Sequence, residues 1–277
     1  MSEFAGRVAV VTGAGSGMGR TLAYELARRG AKLALSDVDA EGLAETVSHA
    51  QQLGAEVKSD HLDVSERAAV LAYADAVAGH FGVVNQVYNN AGIAFSGTVL
   101  QTEFKDFEKV IDVDFWGVVN GTKAFLPHLI ASGDGHVINT SSLYGILSLP
   151  RQSAYNSAKF AVRGFTESLR MEMLSAGHPV RVTCVHPGGV KTSVADNAGA
   201  AGGTKDEAET RLYNEKLLRM SPEDAARIIL DGVAKDKARV LVGNDAKALD
   251  AVVRILGSWY QKPMVASLKR LMPSRSS

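Results

Sequence analysis

Cysteine is almost absent from this 277-residue chain, since Cys184 is the only one. A single cysteine cannot form a disulfide within the chain, which suits a reducing compartment, and the apolar run VRVTCVHPG around it predicts a buried, inert thiol. The chain also lacks any run of about 20 apolar residues, the length of a spanning helix. Its first residues, MSEFAGRVAVVTG, show no basic stretch followed by an apolar signal core. These absences lead us to expect a cytoplasmic protein without a membrane span.

Net charge is the second thing the sequence lacks. Thirty Lys and Arg residues balance thirty Asp and Glu residues. No field of the whole molecule then attracts nucleic acid or an anionic membrane, so any charged partner must be recognised locally. We expect a small-molecule substrate, no nucleic-acid partner and no metal site.

What the sequence does contain is a regular alternation of short apolar segments with segments of helical period. With 46% hydrophobic residues and no visible linker, the chain can form one large domain. The predicted strands are 7–12, 32–37, 55–64, 85–92, 135–142, 180–188 and 239–243, and the predicted helices are 17–29, 40–53, 66–80, 103–132 and 153–175. Repeated β-α-β units predict an α/β fold, a parallel sheet covered by helices on both faces, with ligands at the carboxyl ends of the strands.

The segment VVTGAGSGMGRTLAYELARRG has the pattern of a strand, a glycine-rich turn and a helix. Gly13, Gly17 and Gly19 let the backbone approach a pyrophosphate, which the amides and the helix dipole then bind. Asp37 ends the second strand, eighteen residues after Gly19, where a carboxylate suits the adenosine ribose hydroxyls and repels a 2′-phosphate. We therefore predict NAD rather than NADP. Two alternatives stay open: Asp37 as a solvated turn or cap residue, and Arg20 as a cation that tolerates the phosphate.

Two tyrosines lie in the stretch SSLYGILSLPRQSAYNSAK, and only Tyr155 is followed four positions later by a lysine, Lys159. Positions i and i+4 share one face of a helix. An ammonium beside a phenol stabilises the phenolate, so the pair predicts a tyrosine that exchanges its proton near neutral pH. A Tyr-x-x-x-Lys pair alone usually lies on a solvated helix face. Here the surrounding motifs favour the catalytic interpretation.

Five motifs occur in order: Thr12-Gly13-x-x-x-Gly17-x-Gly19, NNAG (89–92), a serine, YNSAK (155–159) and HPGGVKT (186–192). Together they resemble the short-chain dehydrogenase/reductase family over roughly residues 6–243. The resemblance implies a Rossmann-type, doubly wound parallel sheet and a Ser-Tyr-Lys mechanism that moves hydride between NAD and a hydrophobic secondary alcohol or ketone. It implies that Ser142 (not Ser141), Tyr155 and Lys159 are catalytic. We assign 1–245 to a dinucleotide-binding catalytic domain and 246–277 to its helical C-terminal extension.

The resemblance also implies the residues around the ligands. Lys159 would bind the nicotinamide ribose, Thr192 the carboxamide, and Asp63 and Asn90 would lie near the adenine side, although Asp63 also suits a cap for the helix near Ser65. The implied cofactor-binding residues are Gly13, Ser16, Gly17, Met18, Gly19, Asp37, Asp63, Val64, Asn90, Ala91, Gly92, Tyr155, Lys159, Pro187, Gly188, Val190 and Thr192. The expected substrate residues are Ser142, Tyr155, Phe95, Leu143, Leu147, Leu149, Gln152 and Gly189, under a mobile loop near 189–215. Several of the leucines have ordinary core positions as their alternative.

One position departs from the family pattern. The segment VDFWG puts Asp114 three residues before Gly117, where the family has an asparagine whose helix irregularity holds a water linked to the lysine. An aspartate lacks the amide donors of asparagine. We include Asp114 with the catalytic residues and keep one alternative function: a non-catalytic dinucleotide-binding sensor or scaffold with an impaired proton relay. The intact Ser142, Tyr155 and Lys159 favour the enzyme.

The segment LDAVVRILGSWYQKPMVASLKRLMPSR lies beyond the motifs. It has three open roles: a roof over the substrate pocket, a contact with a neighbouring subunit, or a helix on a membrane surface. We favour the subunit contact, because Pro263 is expected to interrupt the amphipathic run. The resemblance implies a homotetramer, with a homodimer as the alternative.

Overall fold

The strands form where the predicted apolar segments lie. The structure is a computed structural model that describes residues 3–192, 199–201 and 218–271. Its strands are Val8–Thr12 (β1), Lys32–Asp37 (β2), Val57–His61 (β3), Gln86–Asn89 (β4), Phe95–Ser96 (β5), Gly135–Thr140 (β6), Val180–Pro187 (β7), Gly199–Ala200 (β8) and Arg239–Val242 (β9). All five residues of β1 are buried, as in a strand covered on both faces.

The helices follow the strands. They are Gly17–Arg28 (α1), Ala40–Gln52 (α2), Arg67–Phe81 (α3), Phe104–Ile111 (α4), Gly117–Ala131 (α5), Ser153–Ala176 (α6), Pro222–Ala234 (α7), Asn244–Leu256 (α8) and Gln261–Leu271 (α9). A π-helical turn, Asp112–Trp116, joins α4 to α5, and 3-10 turns span Leu143–Gly145 and Gly257–Tyr260. Helix α7 begins with Pro222 after Ser221, whose side chain accepts from the Asp224 N–H, a favourable start that the sequence analysis did not identify.

Seven strands form one parallel sheet in the order β3-β2-β1-β4-β6-β7-β9, with a hydrophobic core on each face. Side chains of β1 alternate between the cores: Val11 packs with Leu22 and Ile229, and Val10 with Tyr73 and Phe125. The chain runs outward from β1 to β3 and returns to β4 on the other side of β1. This reversal opens a crevice at the carboxyl ends of β1 and β4, so the predicted Rossmann-type fold is confirmed.

Buried amide side chains tie the middle of the sheet to α6. Asn89 Nδ2 donates to Asn139 Oδ1 (2.8 Å), and Asn139 Nδ2 donates to Thr166 Oγ1 (3.0 Å). Buried polar groups that are satisfied in this way fix one relative arrangement of the elements that carry them. The network therefore locks β4, β6 and α6 together, and α6 carries Tyr155 and Lys159.

Several predicted bounds were wrong. Strand β3 covers 57–61 rather than 55–64, because it lies at the sheet edge and its ends have no second neighbour. The predicted helix 103–132 is divided by the π-helical turn, and β5 pairs with β8 in a small second sheet that no sequence pattern predicted. Of the predicted mobile loop, residues 193–198 and 202–217 lie outside the described residues.

The C-terminal extension consists of α8, a 3-10 turn and α9. Pro263 does not interrupt the run as expected: it lies in the first turn of α9, where a missing N–H removes no helical hydrogen bond. The extension packs on the loop after β6, where Tyr260 and Met264 contact the cluster of Leu143 and Leu147. Within the described residues, no helix has the length and apolar character to cross a membrane.

Candidate active site

The glycine-rich turn leaves room for a ligand against the first turn of α1. Gly13 and Gly17 have φ values of +68° and +50°, which side chains disfavour. A Cβ at Gly19 would lie 1.9 Å from the Gly13 carbonyl oxygen, and one at Gly13 would lie 2.7 Å from Ala91 Cα. Both glycines are therefore required by packing. Ser16 stands at the N-cap of α1, and the resulting cradle of backbone amides fits a pyrophosphate.

Asp37 lies beside this turn at the carboxyl end of β2. Its Oδ2 accepts from Gly15 N (2.7 Å), and its Oδ1 accepts from Asp39 N (2.9 Å). The carboxylate thus faces the cradle and is held in place by two backbone amides. Arg20 donates to the carbonyl oxygens of Gly15 and Gly42, and its Nη1 lies 2.8 Å from Glu45 Oε2.

The loops after β3 and β4 bring the next set of predicted residues to the same edge. Thr12 Oγ1 accepts from both Asn90 N and Ala91 N at 3.1 Å, and Asn90 Nδ2 donates to Thr12 O (3.1 Å). The end of β4 is thereby fixed against the end of β1. Asp63 Oδ1 accepts from Ser65 N (2.9 Å) and Ser65 Oγ (2.6 Å), so Asp63 closes the turn before α3. The helix cap considered as its alternative is not formed, because α3 begins at Arg67 and its N-cap is Glu66.

The remaining residues of this predicted group lie nearby. Val64 is buried, and a Cβ at Gly117 would meet its side chain at 2.6 Å. Met18 packs at the border of the core beneath the glycine turn. A Cβ at Gly92 would lie 3.3 Å from both Asp114 Oδ1 and Lys159 Nζ, so Gly92 leaves space where the two predicted regions meet.

Tyr155 and Lys159 project from α6 into one region. Lys159 Nζ lies 5.5 Å from the centroid of the half-buried Tyr155 ring, and the Tyr144 ring meets Tyr155 edge-on at 5.8 Å between centroids. Lys159 is buried, and its Nζ donates to Thr140 O (3.3 Å). The arrangement puts a fixed cation beside the phenol, as the i, i+4 spacing predicted.

The two adjacent serines at the end of β6 have different environments. Ser141 Oγ donates to Lys159 O (2.8 Å), so its hydroxyl joins β6 to α6. Ser142 Oγ accepts from Tyr144 N (3.1 Å), which leaves its own proton for another acceptor. Ser141 is therefore structural, and Ser142 is the one of the pair with a hydroxyl proton not used in these contacts.

Asp114 is fully buried inside the π-helical turn and contacts Lys159 directly. Its Oδ1 accepts from Ile93 N (2.7 Å), and its Oδ2 lies 3.2 Å from Lys159 Nζ. Burial raises the pKa of the Asp114 carboxyl, and the Lys159 ammonium opposes that rise. Burial is the strongest single influence on the pKa of Lys159 and lowers it, but the Asp114 carboxylate together with Tyr155 raises that pKa above its ordinary value. A carboxylate thus pairs with the lysine of the predicted catalytic set.

The segment after β7 continues toward the glycine turn. Pro187 ends β7, Val190 is buried, and Gly188 N donates to Val242 O (2.9 Å). A Cβ at Gly17 would lie 3.2 Å from Thr192 Cβ, so Thr192 touches the glycine turn. The structure therefore brings the first and last of the predicted cofactor motifs into contact.

The predicted substrate residues divide into two groups. Phe95 packs in one cluster with Tyr155, and Gln152 pairs through its backbone with Gly97 nearby. Leu143 and Leu147 are buried with the extension, so Leu147 has the core position considered as its alternative; Leu149 is half-buried beside them. Gly189 N donates to Asp245 Oδ2 (2.7 Å). Of the predicted apolar substrate residues, Phe95 and Leu149 are thus the two that keep exposed area.

Sequence reasoning missed four residues that position this site. Asn156 Nδ2 donates to Tyr144 O and Leu147 O, and Tyr260 Oη accepts from Ser148 N (2.8 Å). Asp245 holds the Gly189 amide. Burial lowers the pKa of His186 to about 4, so its neutral ring donates from Nδ1 to Ser142 O (2.9 Å). Of these four residues, only Asn156 and His186 could have been found from the sequence, because they lie inside the motifs YNSAK and HPGGVKT.

Comparison with known proteins gives a consistent result. The family model "short chain dehydrogenase" matches residues 7–202. A protein named "Putative oxidoreductase SadH" from Mycobacterium tuberculosis is 63% identical over 273 residues, which cover 99% of both chains. The structure of a short-chain dehydrogenase/reductase from Burkholderia phymatum in complex with NAD superimposes with a TM-score of 0.84 at 33% identity, covering 92% of this chain and 95% of that one. An alcohol dehydrogenase from Thermococcus sibiricus complexed with 5-hydroxy-NADP gives a TM-score of 0.69 at 29% identity, covering 84% and 93%.

Proposed function

Because the chain belongs to the short-chain dehydrogenase family of oxidoreductases, we propose that it interconverts hydrophobic secondary alcohols and ketones with NAD as its cofactor. The observation that carries the proposal is the buried Lys159 ammonium 5.5 Å from the Tyr155 ring centroid, at the crevice end of the sheet. This arrangement supplies a proton-exchanging group beside a fixed positive charge.

The cofactor would be held by the crevice residues. The cradle at Gly13, Gly17 and Gly19 suits the pyrophosphate, Asp37 the adenosine ribose, and Thr192 the nicotinamide side. When bound, the nicotinamide supplies the hydride acceptor or donor. The carboxylate of Asp37 faces the cradle, and Arg20 is engaged by two carbonyls and Glu45. These contacts favour NAD, because a 2′-phosphate would lie beside the negative charge of Asp37. Arg20 would not offset that charge, since it is already engaged by Gly15, Gly42 and Glu45.

The proton chemistry belongs to Tyr155. In alcohol oxidation its phenolate oxygen accepts the substrate hydroxyl proton, and in ketone reduction the phenol returns it. Lys159 stabilises the phenolate by its charge, and Ser142 Oγ has a free donor to hold the substrate oxygen. Asp114 keeps Lys159 charged and in place. We propose this division of roles for the Ser-Tyr-Lys set.

The substrate class follows from the side chains near Tyr155. Phe95 and Leu149 offer apolar surface, and Gln152 offers a polar edge. Such a mixture suits a bulky, mainly apolar alcohol or ketone. The cytoplasmic location and the homotetramer or homodimer stay predictions, to be measured by cell fractionation and light scattering.

The test is a screen of hydrophobic secondary alcohols with NAD, and of the matching ketones with NADH, followed at the NADH absorbance band. We expect turnover with at least one apolar substrate and none with sugars or charged hydroxy acids. Tight NAD binding without turnover in either direction across the screen would reject the enzyme and favour the sensor alternative. The structural reason would be Asp114, which stands where the family has an asparagine.

A further inference from the structure

The C-terminal extension exposes large apolar side chains on its outer face. Ile255 is 82% exposed and Trp259 is 78% exposed, and Val252 and Leu256 are about half as exposed. Val252, Ile255 and Leu256 have the i, i+3, i+4 spacing of one face of α8, and Trp259 follows in the 3-10 turn after Gly257. Singly exposed apolar residues are normal, but four within eight residues are a local concentration, which we call the apolar patch. Tyr260, the next residue, is buried against the loop after β6, so the exposed side chains are not the ones that pack on the catalytic domain.

The charge around this patch has one sign. The sequence after Asp250 contains no Asp or Glu, while it contains Arg254, Lys262, Lys269, Arg270 and Arg275. Arg254 pairs with Asp250. Within the described ranges, no carboxylate lies within ion-pair distance of Lys262, Lys269 or Arg270, all of which are exposed. In a chain whose total charge is zero, the segment after Asp250 thus carries an excess of positive charge.

These two features together select the partner. An apolar strip with an indole, bordered by unpaired cations, is complementary to an anionic lipid surface, where apolar groups enter the headgroup boundary and cations contact phosphates. A second copy fits less well, because a contact between two extensions would join two segments that both carry cations and, after Asp250, no carboxylate. We propose that the extension binds the surface of anionic phospholipid membranes through Ile255, Leu256 and Trp259, with Lys262, Lys269 and Arg270 facing the phosphates.

The proposal gives the extension two sides with different tasks. Its inner side fixes the loop after β6 through Tyr260, and its outer side contacts lipid. Pro263 begins a helix rather than ending one, so α8 and α9 can both lie on the surface. In this proposal the extension lies along the membrane surface.

The first experiment needs the parent protein only. Flotation with phosphatidylcholine vesicles is compared with flotation on vesicles that also contain about 30% phosphatidylglycerol, at low salt and with about 0.5 M NaCl. We expect binding to the anionic vesicles alone and its loss at high salt. In a Trp116→Phe background, the emission of Trp259 should shift to shorter wavelength on binding. Equal binding to both vesicles, or none to either, overturns the proposal.

Variants then locate the surface. We expect Ile255→Ser/Trp259→Ser and Lys262→Glu/Lys269→Glu to lose at least about tenfold in vesicle affinity. The matched controls are Met171→Ser/Leu174→Ser, which removes exposed apolar residues of α6, and Lys235→Glu/Lys237→Glu; both should bind like the parent. Circular dichroism confirms the fold of each variant. If Ile255→Ser/Trp259→Ser dissociates an oligomer in light scattering while the parent does not bind anionic vesicles, the patch is a subunit interface and the proposal is wrong.

Discussion

The cofactor side of the site and the C-terminal extension are built on different principles. At the predicted cofactor side, glycines without room for a Cβ, backbone amides held by Thr12 and Asp37, and the Thr12 carbonyl held by Asn90 form a surface with little freedom. The extension reaches the site through the Asp245 carboxylate, the Tyr260 hydroxyl and a small apolar cluster. We therefore expect backbone geometry to set cofactor binding at the proposed site, and side chains, which change more easily in evolution, to set the substrate side.

The largest effect is expected between the two regions, at Tyr155. Tyr155→Phe removes the hydroxyl to which we assign the proton transfer, so turnover should fall by about 1000-fold or more. NAD affinity should change by less than about threefold. Stopped-flow kinetics and calorimetry measure the two quantities. Tyr144→Phe is the matched control, and it should keep most of the turnover; the opposite ranking of the two variants would show that the wrong tyrosine has been assigned.

The next effect tests the cofactor side alone. NAD should bind at least about tenfold tighter than NADP, a difference of about 1.4 kcal/mol, and Asp37→Ala should narrow the ratio because it removes the charge that repels a 2′-phosphate. Fluorescence titration with both dinucleotides measures this ratio. Asp60→Ala, on the neighbouring strand, should leave it unchanged. A parent protein with equal affinities for the two cofactors would contradict our assignment of Asp37.

A smaller effect is expected for the buried pair of Asp114 and Lys159. Asp114→Asn removes a negative charge 3.2 Å from Lys159 Nζ, so the lysine exerts a more positive potential on Tyr155 and the phenolate forms at lower pH. The acidic limb of the alcohol-oxidation profile should move to lower pH, with a several-fold higher rate near neutrality. The alkaline limb should also move down, because the Asp114 carboxylate is the first of the groups that raise the pKa of Lys159.

The measurement is the full pH-rate profile of both proteins with a saturating alcohol. The exposed Asp112, on the same π-helical turn, provides the control, and Asp112→Asn should leave the profile in place. An acidic limb that stays or moves upward in Asp114→Asn would mean that Asp114 is uncharged in the active protein. The charge argument would then fail.

The smallest effect tests the extension. Tyr260→Phe leaves the Ser148 N–H without its acceptor, which should cost about 1 kcal/mol of the free energy of unfolding. The KM for an apolar substrate should rise two- to threefold as the loop loosens, while the Kd for NAD stays the same. Tyr24→Phe, on α1, is the control for loss of a hydroxyl. A larger change in NAD affinity than in KM would show that the two regions are not independent.

Local spacing in the sequence determined much of this molecule. The order of strands and helices follows from hydrophobic period, and the glycine turn and the i, i+4 pair of Tyr155 and Lys159 are properties of a few consecutive residues. Such patterns can be read without knowing the rest of the fold, because helix and strand geometry alone put their members on one face. The Rossmann-type sheet was therefore predictable. The errors were strand ends, the π-helical turn that divides the predicted helix 103–132, the small β5–β8 sheet and the helix that contains Pro263, because each depends on contacts with other segments.

Tertiary structure decided the contacts between distant segments. Three contacts join residues separated by 45 to 112 positions. They are the ion pair of Asp114 with Lys159, the hydrogen bond from Gly189 N to Asp245, and the hydrogen bond from Ser148 N to the Tyr260 hydroxyl. No local period encodes them. They exist because the sheet order brings the ends of β4, β6 and β7 to one edge, and because α8 starts there and folds back over the loop after β6. The sequence alone left the meaning of Asp114 open for that reason, since the burial of a charge and the identity of its partner are properties of the packed chain.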